Sequence, residues 1–138
     1  MMVHPGEALV PDASATVRAL RAAGARFAFV HGSRAEGTGR PDSDVDVAAW
    51  FDGRDPAPWT IGGLPPGVDL LVLDRAPLEL AGRVALHGVL LFDDDPASRV
   101  RWLALTRRIY LDERPRTEFA RRIFFAGVRA REAADGRR

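Results

Sequence analysis

Two apolar, strand-like stretches separated by a turn-rich segment constrain the fold of this chain most strongly. Residues 26–31 (RFAFVH) and 44–51 (DVDVAAWF) are rich in the β-branched and aromatic residues that favour strands. Residues 33–43 (SRAEGTGRPDS) lie between them and are mostly turn formers. The pattern predicts two strands joined by a long turn, and the continuous apolar run of the first stretch is typical of a strand in the middle of a sheet.

Further helices and strands are predicted on both sides of this unit from apolar periodicity, caps and prolines. They are a helix from Asp12 or Ser14 to Ala23, a strand over 68–73, a helix from Pro77 to His87, a strand or helix end over 88–95, a helix from Pro96 to Tyr110 and a helix over 115–134. The mixture predicts one α/β domain over residues 1–138, with a small mixed sheet, helices packed on one face and an open, carboxylate-lined cleft on the other.

Composition excludes several classes of protein. No apolar run approaches the roughly 20 residues that span a bilayer, and the N-terminus does not resemble a signal peptide, so we expect a soluble, cytoplasmic protein with no membrane partner. The formal net charge of +1 is far below that of a typical nucleic-acid-binding surface, so no direct nucleic-acid contact is expected. Because the chain has no cysteine, any metal ion must be held mainly by oxygen.

A pair of carboxylates carries the chemistry. Asp44 and Asp46 flank Val45 at the start of the second strand, and because side chains alternate along a strand both project from one face, about 6–7 Å apart. Neighbouring carboxylates repel each other unless a cation lies between them, and Mg²⁺ is commonly bound by one or two carboxylates together with substrate phosphates. The pair therefore predicts a magnesium site, the alternative being a solvated loop that enters a strand.

Gly32 and Ser33 follow the first strand, and ten residues separate Ser33 from Asp44. A glycine there permits a tight turn and the close approach of a phosphate, to which the Ser33 hydroxyl and nearby amides can donate hydrogen bonds. Asp69 lies in the strand predicted over 68–73, on the face of Leu71. It is a third metal ligand if that strand neighbours the second one, and otherwise an exposed strand residue.

The run VHGSRAEGTGRPDSDVDVAAWF, with VDLLVLD after it, resembles the DNA polymerase β-type nucleotidyltransferase superfamily, which is marked by Gly-Ser, a ten-residue gap, Asp-x-Asp and a later Asp. The short length and the stretch APLELAGRVALHGVLLFDDDPASRVRWLALTRRIYLDE are similar, more narrowly, to the minimal nucleotidyltransferase antitoxins of MNT–HEPN toxin–antitoxin pairs. The first likeness rests on specific motifs, and the second rests on general pattern.

The resemblance implies a polymerase β-like fold and a Mg²⁺-dependent protein adenylyltransferase. Such an enzyme transfers AMP from ATP to tyrosine hydroxyls of a HEPN ribonuclease toxin, releases pyrophosphate and neutralises the toxin. The resemblance assigns Gly32 and Ser33, with Arg34 and Arg40, to the nucleotide. It assigns Asp44 and Asp46 to Mg²⁺, while Asp69 either completes the site of a second Mg²⁺ or takes the proton of the attacking hydroxyl. Position 36 departs from many relatives, since Glu36 stands where they carry a basic residue.

Several alternatives stay open at this stage. Transfer to a small hydroxylated molecule such as an aminoglycoside is a second enzymatic hypothesis, and neutralisation of a partner by occlusion alone, with vestigial carboxylates, is a non-enzymatic one. His31 is either a structural strand-end residue or a phosphate contact, and Tyr110 either a helix-end anchor or a target of self-modification. The helix over 97–110 is apolar on two sides, which favours either burial or a partner.

Overall fold

The computed structural model describes residues 3–38 and 44–113. Its strands are β1 (Phe27–His31), β2 (Val45–Trp50), β3 (Val68–Val72) and β4 (Val89–Asp93); its helices are α1 (Ala13–Ala22), α2 (Ser33–Glu36), α3 (Leu78–His87) and a fourth, α4, which is helical over 96–113. Short 3₁₀ turns occupy Pro5–Leu9, Pro58–Thr60 and Leu73–Arg75. Arg40 and the helix predicted over 115–134 lie outside the described residues.

The four strands form one mixed sheet in the order β3-β2-β1-β4. β1 pairs antiparallel with both β2 and β4, whereas β2 and β3 run parallel. The prediction of a small mixed sheet with an apolar central strand is confirmed, since the first four residues of β1 are buried. The segment after α3, for which two structures were open, is the edge strand β4.

Helices cover both faces of the sheet, so the expectation of helices on one face only is wrong. On one face Leu20 of α1 packs with Val30 and Val47. On the other face Val84 of α3 and Trp102 of α4 pack with Phe27. The reason lies in the strands themselves: β1 and most of β2 are apolar at consecutive positions, and such strands need cover on both sides.

An aromatic cluster fixes the helical layer that α3 and α4 form. The Phe27 ring, which is fully buried, lies 5.2 Å from the Trp50 ring, 5.8 Å from Phe29 and 5.9 Å from Trp102, centroid to centroid. Offset and edge-on aromatic pairs of this kind stabilise a core beyond the area that they bury. The cluster therefore ties α4 to the centre of the sheet.

The contact between α3 and α4 is unusually close at one point. A Cβ atom added to Gly82 would overlap the ring of Tyr110, so α4 can approach α3 there only because residue 82 has no side chain. Tyr110 is 8% exposed. This burial favours the interpretation of Tyr110 as an anchor rather than as an accessible target of modification.

The turn that follows β2 is held by a side chain from the far end of β3. The Asp74 carboxylate accepts hydrogen bonds from the backbone N–H groups of Phe51, at 2.8 Å, and Gly53, at 2.6 Å. These bonds satisfy donors that the sheet leaves unpaired. They also fix the end of β2 against β3, at the opposite end of these strands from Asp44.

The exposed surface of α4 keeps part of its apolar character. Trp102 and Leu103 pack into the core, while Val100, Leu105 and Ile109 are exposed among the described residues. Within residues 3–38 and 44–113, no helix has both the length and the apolar composition needed to cross a membrane.

Candidate active site

Three polar side chains occupy adjacent positions across three neighbouring strands. His31 at the end of β1 pairs in register with Asp46 of β2, and Asp46 pairs with Asp69 of β3. Because cross-strand partners point to the same face, the three side chains form one row. The row lies on the same face as Phe29 and Ala48, which is the face covered by α3 and α4. The prediction that the strand carrying Asp69 neighbours the second strand is therefore correct.

The chain turns sharply where β1 ends. Gly32 has φ 71° and ψ −153°, a region that is essentially restricted to glycine. A Cβ atom at this position would also collide with Oδ2 of Asp46. The bare glycine thus lets the backbone lie directly against the carboxylate, and Ser33 follows as the first residue of α2.

These residues line one cleft of about 530 Å³. One side is formed by Gly32, Ser33 and Glu36, and the floor contains the row of His31, Asp46 and Asp69. Leu80, Arg83 and His87 of α3 form a helical wall of the cleft, and Leu70 and Leu71 of β3 also line it. The cleft therefore combines a glycine turn, carboxylates and a helical wall in a space that suits a small ligand.

The structure brings together four of the seven residues that the sequence predicts for the site: Gly32, Ser33, Asp46 and Asp69. Asp44 lies two residues before Asp46, is exposed and is not among the residues that line the cleft. Its Oδ1 atom is 4.0 Å from the position that a Cβ atom on Gly67 would take. Arg34 is half-buried in α2 and does not line the cleft. Arg40 falls outside the described residues.

The helical wall is the part that the sequence interpretation missed. Leu80, Arg83 and His87 are spaced i, i+3 and i+7 and share one side of α3, while Val84 is buried on another side. The spacing of these three residues was visible in the sequence. Their position in the same cleft as the carboxylates was not, because it depends on how α3 crosses the sheet.

Burial and charge act in opposite directions on His31. Burial lowers the pKa of the imidazole, and the negative charges of Asp46 and Asp69 oppose this shift without overcoming it. Its Nε2 atom is buried and has no hydrogen-bond partner among the described residues. His31 is therefore a neutral group beside two carboxylates, which makes it a poor counter-ion for them.

The carboxylates themselves lack a protein counter-ion in the part of the chain that the structure describes. Neither Asp46 nor Asp69 forms an ion pair with an arginine within residues 3–38 and 44–113. Asp46 and Asp69, on neighbouring strands, offer carboxylate oxygens of the kind that Mg²⁺ binds. Among the described residues, no group of three or more His, Cys, Asp or Glu side chains is placed to hold a metal ion by itself. Mg²⁺ commonly completes its shell with water and substrate phosphates, so an open set of this kind fits it.

Comparison with known proteins agrees with this geometry. A family model described as polymerase beta, nucleotidyltransferase matches residues 20–97, which is more than half of the chain and contains all the residues of the carboxylate row and the glycine turn. No curated protein matches the chain at a significant level.

Solved structures of toxin–antitoxin complexes share the fold. A toxin–antitoxin with AMP-PNP is 22% identical, with a TM-score of 0.59 over 80% of this chain and 98% of that one. The MntA–HepT toxin–antitoxin is 18% identical, with a TM-score of 0.60 over 81% and 96%. A tri-AMPylated Shewanella oneidensis HEPN toxin in complex with MNT antitoxin gives 18% identity and a TM-score of 0.51 over 78% and 94%. These likenesses confirm the expected fold.

Proposed function

Because the chain belongs to the polymerase β nucleotidyltransferase family, we propose that it is a protein adenylyltransferase that acts as an antitoxin. It transfers AMP from ATP to a tyrosine hydroxyl of a HEPN-type toxin, releases pyrophosphate and thereby neutralises the toxin. The observation that carries the proposal is the pairing of Asp46 with Asp69 beside the Gly32 turn in one cleft. A toxin that cleaves RNA acts where RNA is found, so we expect both proteins in the cytoplasm.

Two similar structures support the choice of reaction and partner. One is a toxin–antitoxin that contains AMP-PNP, an ATP analogue, and the other contains a HEPN toxin that carries AMP. This chain covers 94–98% of the length of the similar chains described above.

The glycine turn is assigned to the triphosphate. At Gly32 a phosphate can approach the backbone closely, and the Ser33 hydroxyl can donate a hydrogen bond to its oxygens. Arg34 and Arg40 remain proposed nucleotide contacts. Arg34 does not line the cleft, and Arg40 lies outside the described residues. Glu36 does line it, which makes a compensating cation necessary on another wall.

The carboxylates are assigned to the metal ions and the proton. Asp44, Asp46 and Asp69 would hold Mg²⁺, which when bound neutralises charge on the entering and leaving oxygens. The tyrosine oxygen forms a bond to the α-phosphorus of ATP. The bond between that phosphorus and the oxygen that bridges the α- and β-phosphates breaks, and pyrophosphate leaves with the electron pair of the broken bond. A phenol has a pKa near 10. It is therefore protonated at neutral pH, and an oxygen of Asp69 accepts the proton that it loses.

Intact mass spectrometry of both proteins tests the proposal. The chain is incubated with ATP, Mg²⁺ and a HEPN-type partner, and we expect a gain of AMP mass on a partner tyrosine. Asp44→Asn, Asp46→Asn or Asp69→Asn should each reduce transfer by about a hundredfold or more, because each removes a charged ligand. Asp12→Asn is the matched control: it removes the same charge at an exposed residue before α1 and should transfer normally.

Two results would contradict the proposal. The first is a partner that gains no AMP from the wild-type protein. The second is full neutralisation of the partner's ribonuclease activity by the double variant Asp44→Asn/Asp46→Asn, which would show that occlusion alone suffices. A circular-dichroism spectrum of each variant checks that loss of transfer is not loss of fold.

A further inference from the structure

Arg83 of α3 stands out among the residues that line the cleft. Three acidic side chains, those of Glu36, Asp46 and Asp69, line it, and Arg83 is the sole arginine among the lining residues that the structure describes. A nucleoside triphosphate is a polyanion, so a cleft with this acidic excess needs a fixed cation as well as metal ions to hold it.

The position of Arg83 is fixed by the packing of its helix. Val84, the next residue, belongs to the aromatic core between α3, α4 and the sheet, and Gly82 lies against Tyr110. These contacts hold the backbone of α3 on both sides of residue 83. The guanidinium, in contrast, extends into solvent at the cleft, with 67% of its side chain exposed. A backbone held by packing and an exposed charged end suit a side chain that binds an anionic ligand at the cleft.

The present ion pair of Arg83 is weak enough to be exchanged. Its Nε atom lies 3.6 Å from Oε1 of Glu79, one turn earlier on α3, and half of the Glu79 side chain is exposed. Exposed pairs at this spacing stabilise a helix only slightly. Two oxygens of a phosphate can accept parallel hydrogen bonds from the planar guanidinium, so a phosphate competes well with such a carboxylate.

We propose that Arg83 binds the triphosphate of the nucleotide from the α3 wall of the cleft that the Gly32 turn also lines, and that Glu79 holds the arginine when the cleft is empty. This inference rests on the proposed function, since it supplies the cation that Glu36 makes necessary. Arg83 would act in addition to Arg34 and Arg40, which remain proposed nucleotide contacts.

Equilibrium binding of a non-hydrolysable ATP analogue and of inorganic tripolyphosphate, with Mg²⁺, tests the inference without any acceptor. Arg83→Gln should weaken both by about ten- to a hundredfold, which is the effect of losing a hydrogen bond between charged groups. Arg83→Lys should recover most of the affinity, because it restores the charge. Glu79→Gln should tighten binding by about twofold, since it removes the competing carboxylate.

Arg18→Gln is the matched control, because Arg18 is an exposed arginine of α1, which packs on the other face of the sheet. It should bind both ligands as the wild type does. In the transfer assay Arg83→Gln should raise the KM for ATP by the same factor and leave kcat within about threefold. All three substituted side chains are exposed, and circular dichroism verifies that each of the four variants is folded.

Unchanged tripolyphosphate binding by Arg83→Gln would overturn the inference. So would a rise in the KM for the acceptor protein with the KM for ATP unchanged, which would assign the α3 wall to the acceptor. If the wild type binds tripolyphosphate through Arg83 but modifies no partner, the proposed function fails while Arg83 keeps its role. If the wild type modifies its partner and Arg83→Gln does so with an unaltered KM for ATP, only the inference about Arg83 fails.

Discussion

Replacing Gly32 by alanine should lower both the free energy of unfolding and the rate of AMP transfer, and the two effects can be measured separately. Gly32 occupies a backbone region that is essentially closed to other residues, and an added Cβ would collide with the Asp46 carboxylate. The two consequences differ. The backbone strain lowers the free energy of unfolding, whereas the collision turns the carboxylate away from its position beside Asp69.

The expected magnitudes follow from these two causes. A non-glycine residue in this region costs about 1–3 kcal/mol, and we expect Gly32→Ala to lie near the upper end, at about 3 kcal/mol. A displacement of about 1 Å at a reacting group can reduce turnover about a hundredfold. Gly32→Ala should therefore transfer AMP at about one hundredth of the wild-type rate, even under conditions in which it is fully folded.

Gly37→Ala is the matched control. Gly37 also has a positive φ, of 77°, but its ψ of 13° lies in the left-handed helical region that other residues can adopt, and a Cβ there would meet no atom within 4 Å. It should cost about 1 kcal/mol and leave transfer unchanged. Urea unfolding gives the free energies, and labelled ATP gives the rates. A Gly32→Ala variant with wild-type transfer, or a Gly37→Ala variant as inactive as Gly32→Ala, would refute the reasoning.

Three further substitutions test the packing. Phe27→Ala should lower the free energy of unfolding by about 3–5 kcal/mol in urea, since a fully buried ring is removed from the aromatic cluster, and a loss below about 1 kcal/mol would refute its central position. Asp74→Ala should cost about 1–3 kcal/mol and leave transfer intact, because it frees two backbone donors away from the cleft; a loss of transfer in the folded variant would contradict this. Gly82→Ala should destabilise the protein by about 1–3 kcal/mol, although helix propensity alone predicts stabilisation, and a stabilised variant would disprove the close contact with Tyr110.

Much of the site could be predicted because it is local in sequence. The glycine turn, Ser33 and the Asp-x-Asp pair all belong to one strand–turn–strand unit, whose turn formers and strand periodicity are strong signals. Asp69 could be predicted only conditionally. Its place beside Asp46 required that β3 pair with β2 in parallel and in register, and no residue of β3 specifies that neighbour by itself.

The helical wall and the double cover of the sheet could not be predicted because they depend on how distant elements pack. The stripe of Leu80, Arg83 and His87 is compatible with several orientations of α3 on either face. The orientation is set by Val84 in the aromatic core and by the approach of α4 at Gly82, contacts between residues far apart in the chain. The sequence points to Arg34 and Arg40 for the positive charge near Glu36, whereas Arg83 of α3, far from Glu36 in the chain, lines the cleft.

The central claim is that this cleft catalyses nucleotidyl transfer with the carboxylates of Asp46 and Asp69. The most direct measurement follows label from ATP that carries it at the α- or at the γ-phosphate, in the presence of Mg²⁺ and a HEPN-type partner. The account predicts that α-label becomes covalently attached to the partner, that γ-label appears in pyrophosphate, and that both processes stop in Asp46→Asn. Attachment of γ-label to the partner, or undiminished attachment of α-label by Asp46→Asn, would contradict it.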